Sequence, residues 1–99
     1  MINIDETKKQ EILTVLYEQA VDAHLDDKAK EYGYDSIKTA VTYADEPIVQ
    51  KFQEEGTAFR AWRSKVYAYV YEQLDLVQSG DRDMPTIDEL IAELPDLVI

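Results

Sequence analysis

Between residues 5 and 32, Leu13, Leu16, Tyr17, Ala20 and His24 recur at spacings of three and four. That spacing puts them on one side of an amphipathic helix, and Gly33 follows as its stop. The next segment, "YDSIKTAVTYADEP", predicts a short helix over 35–44 with Asp35 or Ser36 as its cap. Pro47 either ends it or opens the next helix in its first turn. From 47 to 79 the one interruption is Gly56. Counting about 100° per residue from Phe59, Phe52, Trp62, Val66, Tyr69, Val70, Gln73, Leu76 and Val77 form one stripe. Gly80 closes this helix. Thr86 followed by Glu89 is a capping box that opens a last helix over 86–94, before Pro95.

The stretch "YAYVY" tests this assignment. As a strand it would present Tyr67, Tyr69 and Tyr71 on one face, a platform for bases or sugars. The surrounding turn-free run is far longer than ordinary strands, so it is helical and the tyrosines divide. Tyr69 joins the stripe of Phe59, Trp62 and Val66. Tyr67 and Tyr71 fall on a shoulder with Gly56, Arg60, Arg63 and Leu74. The expected fold is therefore all-α: a small bundle of three to four helices, one long and central, forming a single domain over 1–99.

Tyrosine and arginine are enriched where interfaces concentrate their binding energy, and Arg63 precedes Tyr67 by the four residues that allow stacking. The shoulder Gly56, Arg60, Arg63, Tyr67, Tyr71 and Leu74 is accordingly the candidate partner-binding surface. The competing expectation is that another helix of the chain covers it. Glycine within an exposed helix costs about 1 kcal/mol, so Gly56 implies either close approach of a backbone or a local helix break. Under close approach, Gly56→Leu is expected to disrupt the protein and Gly56→Ala to be tolerated.

Charge narrows the function classes. The formal net charge is −11, which repels nucleic acid and anionic membranes at long range. The middle of the chain, 34–71, is neutral, whereas 72–99 carries a net −7. Arg60, Arg63 and Lys65 interleave with aromatics but are too few for direct nucleic-acid binding. An acidic helical surface can instead block a nucleic-acid-binding enzyme. No cysteine is present, and His24 with Asp22, Asp26 and Asp27 is a poor metal site. Glu54–Glu55 and Asp88–Glu89 are surface pairs without a pocket to separate their pKa values. No catalytic, cofactor or metal residues are assigned, and no membrane partner is expected. A homo-oligomer is compatible with the composition. The start "MINIDETKKQ" lacks a signal-peptide apolar core, which predicts action in a cytoplasm.

The runs "EYGYDSIKTAVTYADEP", "FQEEGTAFRAWRSKVYAYVYEQL" and "VQSGDRDMPTIDELIAELP" resemble, in that order, small proteins encoded beside tail-fibre genes in tailed bacteriophages and prophages. The resemblance spans residues 31–95 and rests on Gly33, Tyr34, Asp35, Tyr43, Ala44, Phe52, Gly56, Phe59, Trp62, Arg63 and the "ELIAELP" end. It implies a non-enzymatic binding role near a receptor-binding fibre in the host cytoplasm, foremost as a tail-fibre assembly chaperone. A structural component of the tail or fibre, carried in the virion, is the alternative, and an acidic inhibitor of a host enzyme is a third. The family's small residues after the tryptophan are partly replaced here by Tyr67, Tyr69 and Tyr71.

Overall fold

The computed structural model describes residues 6–99, with side chains from Lys8 onward. Four α-helices follow in order: α1 Glu6–Glu31, α2 Ile37–Thr42, α3 Gln50–Gln78 and α4 Ile87–Glu93. A 3-10 turn, Tyr43–Asp45, lies between α2 and α3. The fold is all-α, with no strand among the described residues. Asp5, the expected first helical residue, lies outside the described residues.

Local chemistry explains most boundaries. Gly33 takes φ +91°, which a side-chain-bearing residue resists. This lets the N–H groups of Gly33 and Tyr34 close α1 on the carbonyls of Lys30 and Ala29 at 3.0 and 3.1 Å. The same pair of bonds closes α3 around Gly80. The N-cap of α2 is Ser36, whose Oγ accepts the Thr39 N–H, while Asp26 of α1 accepts the Ile37 N–H at 2.9 Å. The capping box of Thr86 and Glu89 opens α4.

Two helices depart from expectation. The short helix expected over 35–44 is α-helical only at Ile37–Thr42, its last turn tightening into the 3-10 turn Tyr43–Asp45. The long helix starts late. Helix α3 begins at Gln50, not at Pro47. Glu46, preceding the proline, is extended, as that position favours. Its Oε1 accepts the N–H groups of Ile48 and Val49 at 3.0 and 3.2 Å. Val49 is also extended, so the first helical bonds converge on its carbonyl, from Phe52 and Gln53.

The two long helices run antiparallel. His24 meets Trp62, Asp22 meets Tyr67, and Leu13 shares a crevice with Leu74, so the partner number in α3 rises as that in α1 falls. The molecule is elongated, 60 × 26 × 19 Å. Its core comprises Tyr17, Val21, Leu25 and Ala29 from α1, and Phe59, Trp62, Val66 and Val70 from α3. Tyr34, Ile37, Ala40, Leu90 and Leu94 complete it.

The α3 phase is as expected at Phe59, Trp62, Val66 and Val70. It differs at Phe52, which is exposed and packs edge-on against Tyr43, and at Tyr69, Gln73, Leu76 and Val77, which are half-buried. The phase of α1 is rotated. The buried row is Tyr17–Val21–Leu25–Ala29, and Leu16 faces solvent. His24 rests its ring on Trp62 at 5.9 Å.

Gly56 is buried against the backbone of the chain's own 3-10 turn. A Cβ there would lie under 3 Å from backbone atoms of Tyr43 and Ala44. Close backbone approach is therefore the reason for the glycine. The expectation that alanine is tolerated is corrected, because the obstacle is main chain and cannot swing aside.

Candidate partner-binding surface

The polar tips of five aromatic residues tie distant segments together, which answers why a small domain carries so many. Tyr17 Oη donates to the Pro85 carbonyl at 2.5 Å, anchoring the turn before α4. Trp62 Nε1 donates to the Pro95 carbonyl at 2.7 Å, anchoring the C-terminal segment. Tyr69 Oη donates to Glu93 at 2.5 Å, and Tyr67 Oη donates to Asp22 of α1. Buried Tyr34 donates to buried Glu55 at 2.9 Å. Each ring fills an apolar contact while its tip satisfies a polar group on another element.

These contacts divide the candidate shoulder. Gly56 is buried within the chain. Leu74 is half-buried and lines a crevice with Leu13, Tyr17, Val77 and Met84. Tyr67 is half-buried and bonded to Asp22, so α1 covers part of it; that burial, then the Asp22 carboxylate, raises its phenol pKa. Arg63 lies in an open groove with Asp22, Asp26, Ile37, Lys38 and Tyr67. The ring stacked on Tyr67 is that of Tyr71, with centroids 6.0 Å apart and planes 25° apart. Tyr71 itself is 53% exposed. The structure therefore brings together Arg60, Arg63, Tyr67 and Tyr71 along one edge of α3, and leaves Gly56 and Leu74 out of that edge.

A second exposed surface was not recognised in the sequence. Ile48 is 86% exposed, with Val49 and Phe52 partly exposed beside it. The triplet "PIV" at 47–49 carries the signal, an apolar run at a helix entry, but a helix drawn from Pro47 conceals it. The C-terminal Val98 and Ile99, also exposed, border a groove on α3 lined by Gln53, Glu54, Thr57, Ala58 and Ala61.

A charge cluster fixes the acidic C-terminal region. Arg82 bonds Gln73 and, at 2.5 Å, Glu93. The Arg82 guanidinium, with the Tyr69 hydroxyl, holds the Glu93 carboxyl below the usual range. Among the described residues, no three metal-ligating side chains converge, and no helix is long and apolar enough to cross a membrane.

The Tyr34–Glu55 pair yields one prediction. Burial, then the Glu55 carboxylate, pushes the Tyr34 phenol up to about 12. The folded value exceeds the unfolded one, so this contribution to stability is complete below pH 10 and is lost as pH rises towards 12. Tyr34→Phe removes the donor and leaves a buried carboxylate unpaired, a loss of about 1–3 kcal/mol at neutral pH. Urea unfolding at pH 7 checks this. An unchanged midpoint would mean that Glu55 gains nothing from the hydroxyl.

No protein-family model, no curated protein and no solved structure matches this chain.

Proposed function

We propose that this chain is a non-enzymatic binding protein that covers the apolar surface of an unassembled phage tail-fibre chain, and so acts as its assembly chaperone in the host cytoplasm. The observation that carries the reading is the edge of α3. There an exposed tyrosine stacks on a second, which α1 holds in place, and two arginines flank them. Such an edge offers rigid aromatic area and planar donors, the features that concentrate binding energy. The resemblance over 31–95 supplies the class of partner. The net charge of −11 favours solubility of a complex with an aggregation-prone chain.

The test is a pull-down with an unassembled tail-fibre protein of a tailed bacteriophage. Because Tyr67 also bonds Asp22, the separating variant is Tyr71→Ser with Arg60→Ser, both at exposed positions. This pair is expected to weaken fibre capture about tenfold or more while leaving the melting temperature nearly unchanged. Capture equal to that of the unaltered protein would remove the α3 edge from the interface. Mass spectrometry of purified particles distinguishes the chaperone from a structural tail component, since a chaperone is absent from the finished virion.

A further inference from the structure

The outer face of α1 is apolar where the chain itself leaves it uncovered. Ile12 is 54% exposed, Val15 50% and Leu16 41%. Turning about 100° per residue, Ile12, Leu16, Gln19 and Ala23 form one row opposite the buried row Tyr17–Val21–Leu25. The row repeats at spacings of four, three and four, the seam of a two-helix coiled coil. Gln19 and Ala23 are also exposed.

The charges flanking this row identify its occupant. Lys8 and Lys9 stand at one end and Asp26 and Asp27 at the other. Two copies of α1 packed antiparallel about a twofold axis between residues 17 and 18 would set Ile12 against Ala23 and Leu16 against Gln19. A twofold perpendicular to both helices keeps residues of equal azimuth on the same side. Lys9 and Asp27, both exposed, share an azimuth. Lys9 of each copy therefore meets Asp27 of the other. Parallel packing would oppose lysine to lysine and aspartate to aspartate, so the charges select the antiparallel arrangement. Asp27 is the exposed acid of its pair, since Asp26 already accepts the Ile37 N–H.

We infer that the outer face of α1 is a self-association surface, through which two copies of this chain form an antiparallel, twofold-symmetric dimer. The apolar row spans only about 16 Å at 1.5 Å per residue, and the contact with its flanking Lys9 and Asp27 about 27 Å. Two strongly acidic copies repel one another outside it. The dimer is thus weak and concentration-dependent, and its specificity lies in the charge match. The inference is independent of the fibre-binding reading, because the row lies on α1 and the candidate edge on α3.

Sedimentation equilibrium across a wide concentration range, at fixed moderate salt, tests it. The unaltered protein is expected to shift from monomer to dimer. Lys9→Glu alone and Asp27→Lys alone should each weaken the dimer about tenfold, because the symmetry places two altered pairs in every dimer. The combined Lys9→Glu/Asp27→Lys variant restores opposite charges and should return the dissociation constant to within about twofold. Leu16→Asp should abolish dimerisation without moving the melting curve, as Leu16 is outside the core. A protein that stays monomeric throughout overturns the proposal. So does a dimer indifferent to Leu16→Asp, or one that the charge swap fails to restore.

Discussion

Gly56→Ala will destabilise the domain by about 3 kcal/mol or more, although the same change stabilises most helices. Replacing a helical glycine by alanine ordinarily gains about 1 kcal/mol through backbone entropy. Here the added methyl would overlap main-chain atoms of Tyr43 and Ala44. Backbone held between α2 and α3 has no alternative rotamer, so relief requires moving the whole 3-10 turn. That turn also places Tyr43, whose ring touches both Tyr34 and Phe52. The overlap outweighs the entropic gain by a wide margin. A thermal melt followed by circular dichroism should fall by at least about 10 °C, at 4–8 °C per kcal/mol for a domain of this size. A midpoint equal to or above that of the unaltered protein would show that the turn can withdraw at little cost, and that the tight contact does not define the fold.

Trp62→Ala should be comparably damaging, by about 3–5 kcal/mol. Trp62 is almost completely buried, with Phe59 at 6.0 Å and His24 at 5.9 Å between ring centroids. The substitution opens a large cavity where α1 meets α3. It also removes the donor to the Pro95 carbonyl, and with it the tie that holds the C-terminal segment on α3. Trp62→Phe separates the two effects, because it keeps an aromatic ring but loses the indole N–H. It should cost clearly less than alanine, while hydrogen exchange quickens around residues 95–99 in both variants. With a total stability of about 5–15 kcal/mol expected, the alanine variant would lie near the edge of folding. Equal stability of Trp62→Ala and the unaltered protein in urea would refute the placement of this residue at the centre of the core.

How much of this was legible in the sequence depended on how local the cause was. The helix stops at Gly33 and Gly80 and the Thr86–Glu89 capping box are each decided within a few residues and could be read directly, while the α2 cap was narrowed to Asp35 or Ser36, of which Ser36 is the one. The buried face of α3 was legible too, since Phe59, Trp62, Val66 and Val70 stand out from a charged background. Helix α1 was ambiguous because it carries two apolar rows, Ile12–Leu16 and Tyr17–Val21–Leu25. Periodicity alone cannot say which of them faces α3. The start of α3 turned on the Glu46 side chain accepting N–H groups beyond Pro47, a choice that helix propensities do not express.

The candidate surface was legible to the same degree. Azimuth placed Arg60, Arg63, Tyr67 and Tyr71 on one side of the helix together with Gly56 and Leu74, since a helix fixes their relative directions. It could not reveal that α1 reaches Tyr67 through Asp22, or that Leu74 closes a crevice with Leu13. Nor could it identify the backbone that approaches Gly56 as that of the chain's own 3-10 turn. Those contacts bring together residues far apart in sequence, and no short-range pattern encodes them.

In the role proposed for it, this protein binds an unassembled tail-fibre chain and keeps it soluble until it trimerises. The most direct measurement is sedimentation of a phage tail-fibre protein expressed with and without this chain. Co-expression is expected to move fibre from the pellet to a soluble trimer, with this protein co-purifying with the unassembled fraction. If the fibre trimerises equally well alone and the two proteins never co-purify, the chaperone reading is wrong.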